Sequence, residues 1–338
     1  MQLGLIGTGR IGAMHSRTLL GLDGVTGLRI TDALPDRAAR LAAELRADGL
    51  AAEAVPTEEE LYAAGVDAVV ITAATHAHAE LIHRALDRGK PVFCEKPVAL
   101  DLPGTREVVR RSTEVDVPLQ IGFQRRYDAG YRAAREAVRS GRLGWLHTLR
   151  AVTGDQDPPP AEYLPTSGGL FRDCSIHDFD ALRWVTGREV VSACALGANR
   201  GAAFFAEADD VDTCVALLEF DDGTLATVSA SRYNGAGHDV RLEVCGSLGA
   251  LFVGHDDRAP LPSAEQGVPW PSGTPYRTFL ERFRAAYVAE LTEFVEVAAG
   301  RADNPCTAAE ALEALCIAEA CERSRRERRP VSIAEVRG

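Results

Sequence analysis

Short, wholly apolar runs alternate with amphipathic stretches over the first third of the chain. The N-terminus reads Gln2-Leu3-Gly4-Leu5-Ile6, then a glycine turn from Gly7 to Gly12, then a helical stretch from Ala13 to Leu22. Further apolar runs lie at Leu28–Thr31, Ala68–Thr72, Pro91–Cys94 and Leu119–Gly122, separated by helical patterns at Arg37–Leu45, Thr57–Ala63, His78–Arg88 and Gly104–Val115. Strands that are apolar on both faces and alternate with helices predict a parallel sheet covered on both sides. Past Gly122 the pattern changes. A helix is expected over Ala129–Ser140, then longer strand-like runs at Trp145–Thr153, Glu189–Leu196, Thr213–Phe220, Thr224–Ser231, Asp239–Cys245 and Ala250–Val253. Asp221-Asp222-Gly223 is a hairpin signal between two of them. This half reads as an α+β domain with a large, mostly antiparallel open sheet, closed by a helical pair, Tyr276–Ala299 and Thr307–Arg325. The predicted domains are therefore 1–121 and 122–338, with the terminal helix 307–325 packing back on the first. Pro158-Pro159-Pro160 and the proline-dotted loop 260–275 are the low-complexity patches, and Arg325-Arg326-Glu327-Arg328-Arg329 reads as a solvated helix end.

Composition narrows the function by exclusion. The 338 residues carry 37 Lys+Arg against 49 Asp+Glu, a net charge of −12. Nucleic acid and anionic membrane both need a basic face, so neither is expected as the main partner. With aromatics at 6%, a base-stacking platform is not expected. No apolar run approaches the ~20 residues of a membrane span, and a first strand starting at Leu3 leaves no room for a signal peptide. The eight cysteines include no Cys-x-x-Cys pair. They read as reduced, mostly buried thiols of a cytoplasmic protein rather than a disulfide framework or a zinc site.

Three motifs carry candidate chemistry. Gly7-x-Gly9-x-x-Gly12 lies between a predicted strand and helix, the context of a dinucleotide-binding fingerprint. The first glycine permits the tight turn, the second lets backbone approach a pyrophosphate, and the third allows close helix–strand packing. The helix N-terminus then offers N–H groups to phosphate oxygens. Asp32 follows 20 residues after Gly12, at the end of the second predicted strand. A carboxylate there accepts from ribose hydroxyls and repels a 2′-phosphate, favouring NAD over NADP, although the nearby Arg37 keeps NADP open. The first domain is thus expected to be a Rossmann dinucleotide-binding domain in an α/β chain. Glu95-Lys96-Pro97 follows the fifth predicted strand, where ligands of open α/β sheets sit. Lys96 is either a surface lysine beside a turn proline or a cation that stabilises charge developing on a substrate oxygen. In Gly168-Gly169-Leu170-Phe171-Arg172-Asp173-Cys174-Ser175-Ile176-His177-Asp178-Phe179-Asp180, a helix over Leu170–Val185 would set Asp173 and His177 on one face. That pair is either a solvated ion pair or a carboxylate beside a general base. His76, His78 and His83 lie in a separate segment without metal-ligand spacing, so no metal is expected.

Together and in this order, the motifs resemble the glucose–fructose oxidoreductase / inositol dehydrogenase family over nearly the whole chain. Gly122-Phe123-Gln124-Arg125-Arg126-Tyr127-Asp128 and the run from Pro158 through Tyr163 to Gly169 are most similar to inositol 2-dehydrogenases. The resemblance implies oxidation of a secondary alcohol of a cyclitol, myo-inositol or a relative, to the ketone, with the hydride passed to NAD. It implies that His177 takes the hydroxyl proton, Asp173 orients the alcohol, and Lys96 holds the same oxygen. Gly7, Gly9, Arg10, Ile11, Gly12, Asp32, Thr75, His78, Glu95 and Lys96 would meet the cofactor. Arg126, Tyr127, Asp180 and His238 would grip the remaining hydroxyls, and the Lys96–Pro97 bond would be cis. A homo-oligomer, tetramer or dimer, is implied as well. The chain departs from the pattern at Ala73-Ala74-Thr75, where relatives carry Thr-Pro, and at His238, where many inositol enzymes have tyrosine. Two other readings stand beside this one: a reductase of a keto- or aminocyclitol, and a non-catalytic dinucleotide-binding sensor.

Overall fold

The computed structural model describes residues 1–268 and 271–338; of the loop 260–275, Pro269 and Trp270 lie outside the described residues. The chain divides into two compact units. One holds residues 1–124 and 285–312, the other 125–284 and 313–338.

The first unit begins β1 (Gln2–Ile6), α1 (Arg10–Leu20), β2 (Gly27–Thr31), α2 (Pro35–Ala47), β3 (Ala52–Ala54), α3 (Glu58–Ala63), β4 (Ala68–Ile71), α4 (Thr75–Asp87), β5 (Val92–Glu95), α5 (Leu102–Glu114) and β6 (Leu119–Gly122). Its strands pair in the order β3-β2-β1-β4-β5-β6, every pair parallel. β4 and β6 are buried along their whole length, which is why they read as unbroken apolar runs. The order reverses between β1 and β4, and the crevice past the carboxyl ends of these strands is where such sheets take ligands. Leu3, Leu5, Leu28, Ile30, Val70 and Phe93 of the sheet pack with Leu19, Leu41 and Leu45 of α1 and α2. Leu291, Phe294 and Val295 of the helix Arg284–Ala298 complete the same core. The sequence reading left this helix in the second domain; its apolar residues instead close the first. It is also not continuous from Tyr276, since a separate turn, Phe279–Arg282, precedes it and buried Phe283 marks the break.

The second unit contains α6 (Ala129–Arg139), β7 (Leu146–Gly154), α7 (Ile176–Thr186), β8 (Val190–Ala198), β9 (Thr213–Phe220), β10 (Leu225–Ser231), β11 (Asp239–Gly246), β12 (Gly249–Val253) and β13 (Val331–Ser332). Their order is β12-β11-β7-β10-β9-β8-β13, antiparallel except for the β7–β10 pair. Alternation sets the faces: Cys214, Ala216, Leu218 and Phe220 of β9 are buried, while Val215 and Leu217 are exposed. The terminal helix Ala308–Glu327 starts in the first unit and belongs to this one from residue 313 onward. There the Ala195 N–H of β8 donates to Ser324 Oγ at 2.9 Å. No helix among the described residues is long and apolar enough to cross a membrane.

Candidate active site

In the first unit the three glycines of the turn serve three different ends. Gly7 has φ +99°, and a Cβ on it would lie 2.5 Å from the Ala73 nitrogen. A Cβ on Gly12 would lie 2.2 Å from the Gly7 carbonyl oxygen and 2.7 Å from Thr72 Oγ1, which itself donates to that carbonyl at 2.7 Å. A Cβ on Gly9 would meet nothing within 4 Å. The turn is thus closed at Gly7 and Gly12 and open at Gly9, in front of the first turn of α1, where Arg10, Ile11 and Gly12 present backbone N–H groups. A pyrophosphate fits that cradle. Asp32, just past β2, accepts from Thr8 N and Thr8 Oγ1, both at 2.7 Å, and from Leu34 N at 2.9 Å. Burial raises its pKa, but the Leu34 and Thr8 donors outweigh burial and hold it below the ordinary value. A fixed carboxylate beside the cradle suits ribose hydroxyls.

Thr75 opens α4 and is half-buried. His78 is a correction. It is buried, with Nδ1 2.7 Å from the Pro97 carbonyl and Nε2 3.0 Å from the Ala73 carbonyl. Its two nitrogens face backbone, so it ties loops together instead of meeting a cofactor. Glu95 ends β5 and its Oε1 lies 2.7 Å from Nε2 of His15, a buried residue that sequence reasoning overlooked. Lys96 follows, half-buried, and its peptide bond to Pro97 is cis.

In the second unit the Asp173–His177 segment is not one regular helix. Phe171–Ser175 forms a π turn, and α7 starts only at Ile176. Such turns shift the phase of the residues that follow and are frequent at functional sites. Asp173 accordingly takes partners from elsewhere: Arg232 Nη2 at 2.6 Å and the Tyr163 hydroxyl at 3.0 Å. Arg232 also donates to Asp155 Oδ2 at 2.9 Å, and Nδ1 of His238 lies 3.4 Å from Asp155 Oδ1. Burial opposes the charge of Arg232, but Cys174 and the carboxylates of Asp173 and Asp155 outweigh it and raise its pKa. Burial likewise raises Asp155, yet His238 and Arg232 hold it below the ordinary range. Burial and the charge of Asp173 push the Tyr163 phenol up, so it stays a donor.

Half-buried His177 lies in the first turn of α7, just ahead of two aspartates held in buried ion pairs. Arg125 pairs with Asp178, whose other oxygen accepts from Thr153 Oγ1 at 2.8 Å. Arg126 grips Asp180 with Nε at 2.9 Å and Nη2 at 2.5 Å, both side chains at or below 3% exposure. Arg126 and Asp180 are therefore spent on each other and are not presented to a ligand, contrary to the sequence reading. Tyr127 is buried under the Arg132 guanidinium, 5.3 Å from its ring centre. His238 is buried too, but it joins the Asp173 cluster through Asp155. Sequence reasoning missed Asp155 and gave no role to Arg232 or Tyr163. The signals were a carboxylate at the end of β7, an arginine just past β10, and a tyrosine after a proline run.

Residues 1–123 match the NAD-binding Rossmann fold of an oxidoreductase family, and residues 131–252 match the GFO/IDH/MocA C-terminal domain. The chain belongs to the GFO/IDH/MocA family. Within the family it is 40% identical to a myo-inositol dehydrogenase of Streptomyces leeuwenhoekii, over 96% of this chain and 97% of that one. It is 34% identical to a myo-inositol 2-dehydrogenase of Thermotoga maritima over 100% of both chains. Among solved structures, a scyllo-inositol dehydrogenase of Lactobacillus casei with bound NAD(H) and scyllo-inositol superposes with a TM-score of 0.86 at 28% identity, covering 99% of each chain. As a member of this family the chain is an NAD-dependent dehydrogenase acting on CH–OH groups. The matched NAD-binding segment, residues 1–123, includes the open turn at Gly9 and the carboxylate of Asp32.

Proposed function

We propose that this dehydrogenase oxidises one secondary hydroxyl of a cyclitol, myo-inositol or a close relative, to the ketone. The observation that carries the reading is the cluster around Asp173. Tyr163, Asp173, Arg232, Asp155 and His238 set hydrogen-bond donors and acceptors side by side, and the one arginine already serves two carboxylates. Such a cluster suits a neutral, hydroxyl-rich ligand and offers no surplus cation to a phosphate or carboxylate. NAD, when bound, supplies the nicotinamide carbon that accepts the hydride. His177 takes the hydroxyl proton, as histidines do near neutral pH. Asp173, paired with Arg232, accepts from the alcohol and orients it. Lys96 stabilises negative charge developing on the alcohol oxygen. With NAD held at the Gly9 cradle to supply the hydride acceptor, a turnover would convert CH–OH to C=O and leave the hydroxyl proton on His177.

The enzyme works in the cytoplasm as a homo-oligomer, a tetramer or dimer. Eight free thiols suit a reducing compartment. The outer face of the second sheet carries exposed Leu196, Val215, Leu217 and Leu225, an apolar surface suited to a second copy. The test of the activity is absorbance in the NADH band, with purified enzyme, NAD and a panel of inositol isomers. Growth with at least one isomer is expected. Absence of turnover across the panel, together with absence of NAD binding, would sink the reading.

A further inference from the structure

We propose that two buried histidines, His15 and His78, are positioning residues that brace Lys96 from either side; the inference rests on the role given to Lys96 above. His15 projects from α1, the helix of the glycine turn, and its side chain has 0% exposure. Nε2 lies 2.7 Å from Glu95 Oε1, whereas Nδ1 has no hydrogen-bond partner among the described residues. The ring therefore carries its proton on Nε2 and donates to the Glu95 carboxylate. Phe93 and Tyr287 hold the imidazole edge-on, at 5.5 and 5.6 Å between ring centres. The other oxygen of Glu95 lies across Gly122 of β6, where a Cβ would come within 3.1 Å of it. On the far side of Lys96, His78 of α4 faces the Pro97 carbonyl with Nδ1 at 2.7 Å and the Ala73 carbonyl with Nε2 at 3.0 Å.

The side chain before Lys96 and the carbonyl after it are thus each held by an imidazole from a different helix. Both helices also frame the cofactor cradle. α1 starts at the glycine turn, and Ala73, just ahead of α4, is the residue whose backbone abuts Gly7. A lysine has a long flexible stem, so its ammonium is placed reproducibly only if the backbone that carries it is fixed. A misplacement of about 1 Å at a reacting group can cost roughly 100-fold in rate.

The experiment uses the full chain, with thermal melting for folding, fluorescence titration for NAD affinity, and kcat on the best inositol substrate. The variants are His15→Leu and His78→Leu, which remove the donors, and His15→Gln and His78→Asn, whose amide nitrogens reach the positions of Nε2 and Nδ1. Each is made alone and with Lys96→Ala. Expected for the leucine variants is a folded enzyme with NAD affinity within about threefold of wild type and kcat roughly 10- to 100-fold lower. His15→Gln and His78→Asn recover most of the loss. In the Lys96→Ala background the leucine substitutions cost less than about threefold more, because residues acting through one another are non-additive. Equal losses in both backgrounds, or losses explained wholly by NAD affinity, would overturn the brace. Unchanged kcat in both leucine variants beside an impaired Lys96→Ala would overturn the brace alone, and full activity of Lys96→Ala would overturn the role of Lys96 and the brace with it. If a leucine variant does not fold, His15→Asn and His78→Gln, which keep a donor at the wrong reach, take its place with the same expectations.

Discussion

Asp178 and Asp180 follow the candidate base on its helix, and each is neutralised by one arginine of the Gln124–Tyr127 turn. Removing one partner of such a buried pair strands the other charge, at a cost of about 3–5 kcal/mol. Arg125→Leu is therefore expected to lower stability by that amount, read as a fall in the urea midpoint, with Arg126→Leu similar. Asp155 predicts a pH effect. Its folded pKa lies below the ordinary value because His238 and Arg232 outweigh burial. Its contribution to stability is fully present above the unfolded value, about pH 4, and is lost as pH falls through the folded value. Melting temperature against pH should therefore fall less steeply on the acid side for Asp155→Asn than for wild type; parallel curves would contradict this. In the sequence Asp173 and His177 are marked by their local spacing and Lys96 by its place after the fifth predicted strand, and the family resemblance supplies their roles. Arg232 could not be read as the partner of Asp173, since 59 positions separate them and only the fold brings them together. The same gap explains why Arg126 and Asp180, 54 apart, looked like ligand contacts when they satisfy each other.

At the scale of elements, the glycine turn separates folding from binding. Gly7→Ala and Gly12→Ala would drive a Cβ within 2.2–2.7 Å of backbone or Thr72 Oγ1, so both should lower the melting temperature without cofactor. Gly9→Val meets open space, so it should fold normally and fill the cradle instead. We expect unchanged melting without NAD and at least about tenfold weaker NAD affinity by titration, the size of a lost charge-assisted hydrogen bond. Gly7, Gly9 and Gly12 could be assigned these roles from sequence because the fingerprint is local. The π turn at Phe171–Ser175 could not be foreseen, because helical spacing alone does not distinguish it from regular α-helix. Nor could the return of Arg284–Ala298 to the first unit, because apolar spacing shows that a helix has a buried side without showing against what.

For the whole molecule, the net charge of −12 and the paired state of Arg232 point the same way, towards a neutral substrate beside one anionic cofactor. The exposed apolar face of the second sheet is the contact proposed between copies. Leu217→Glu, at the centre of the apolar patch, is expected to reduce the mass measured by light scattering to a smaller species while leaving the fold intact by circular dichroism. Central to the account is transfer of hydride from a ring carbon of a cyclitol to NAD. The most direct measurement is the isotopic composition of NADH formed from myo-inositol deuterated at every ring carbon. The account predicts one deuterium per NADH and a slower turnover than with unlabelled substrate. Unlabelled NADH, or no NADH from any inositol isomer by an enzyme that binds NAD, would contradict it.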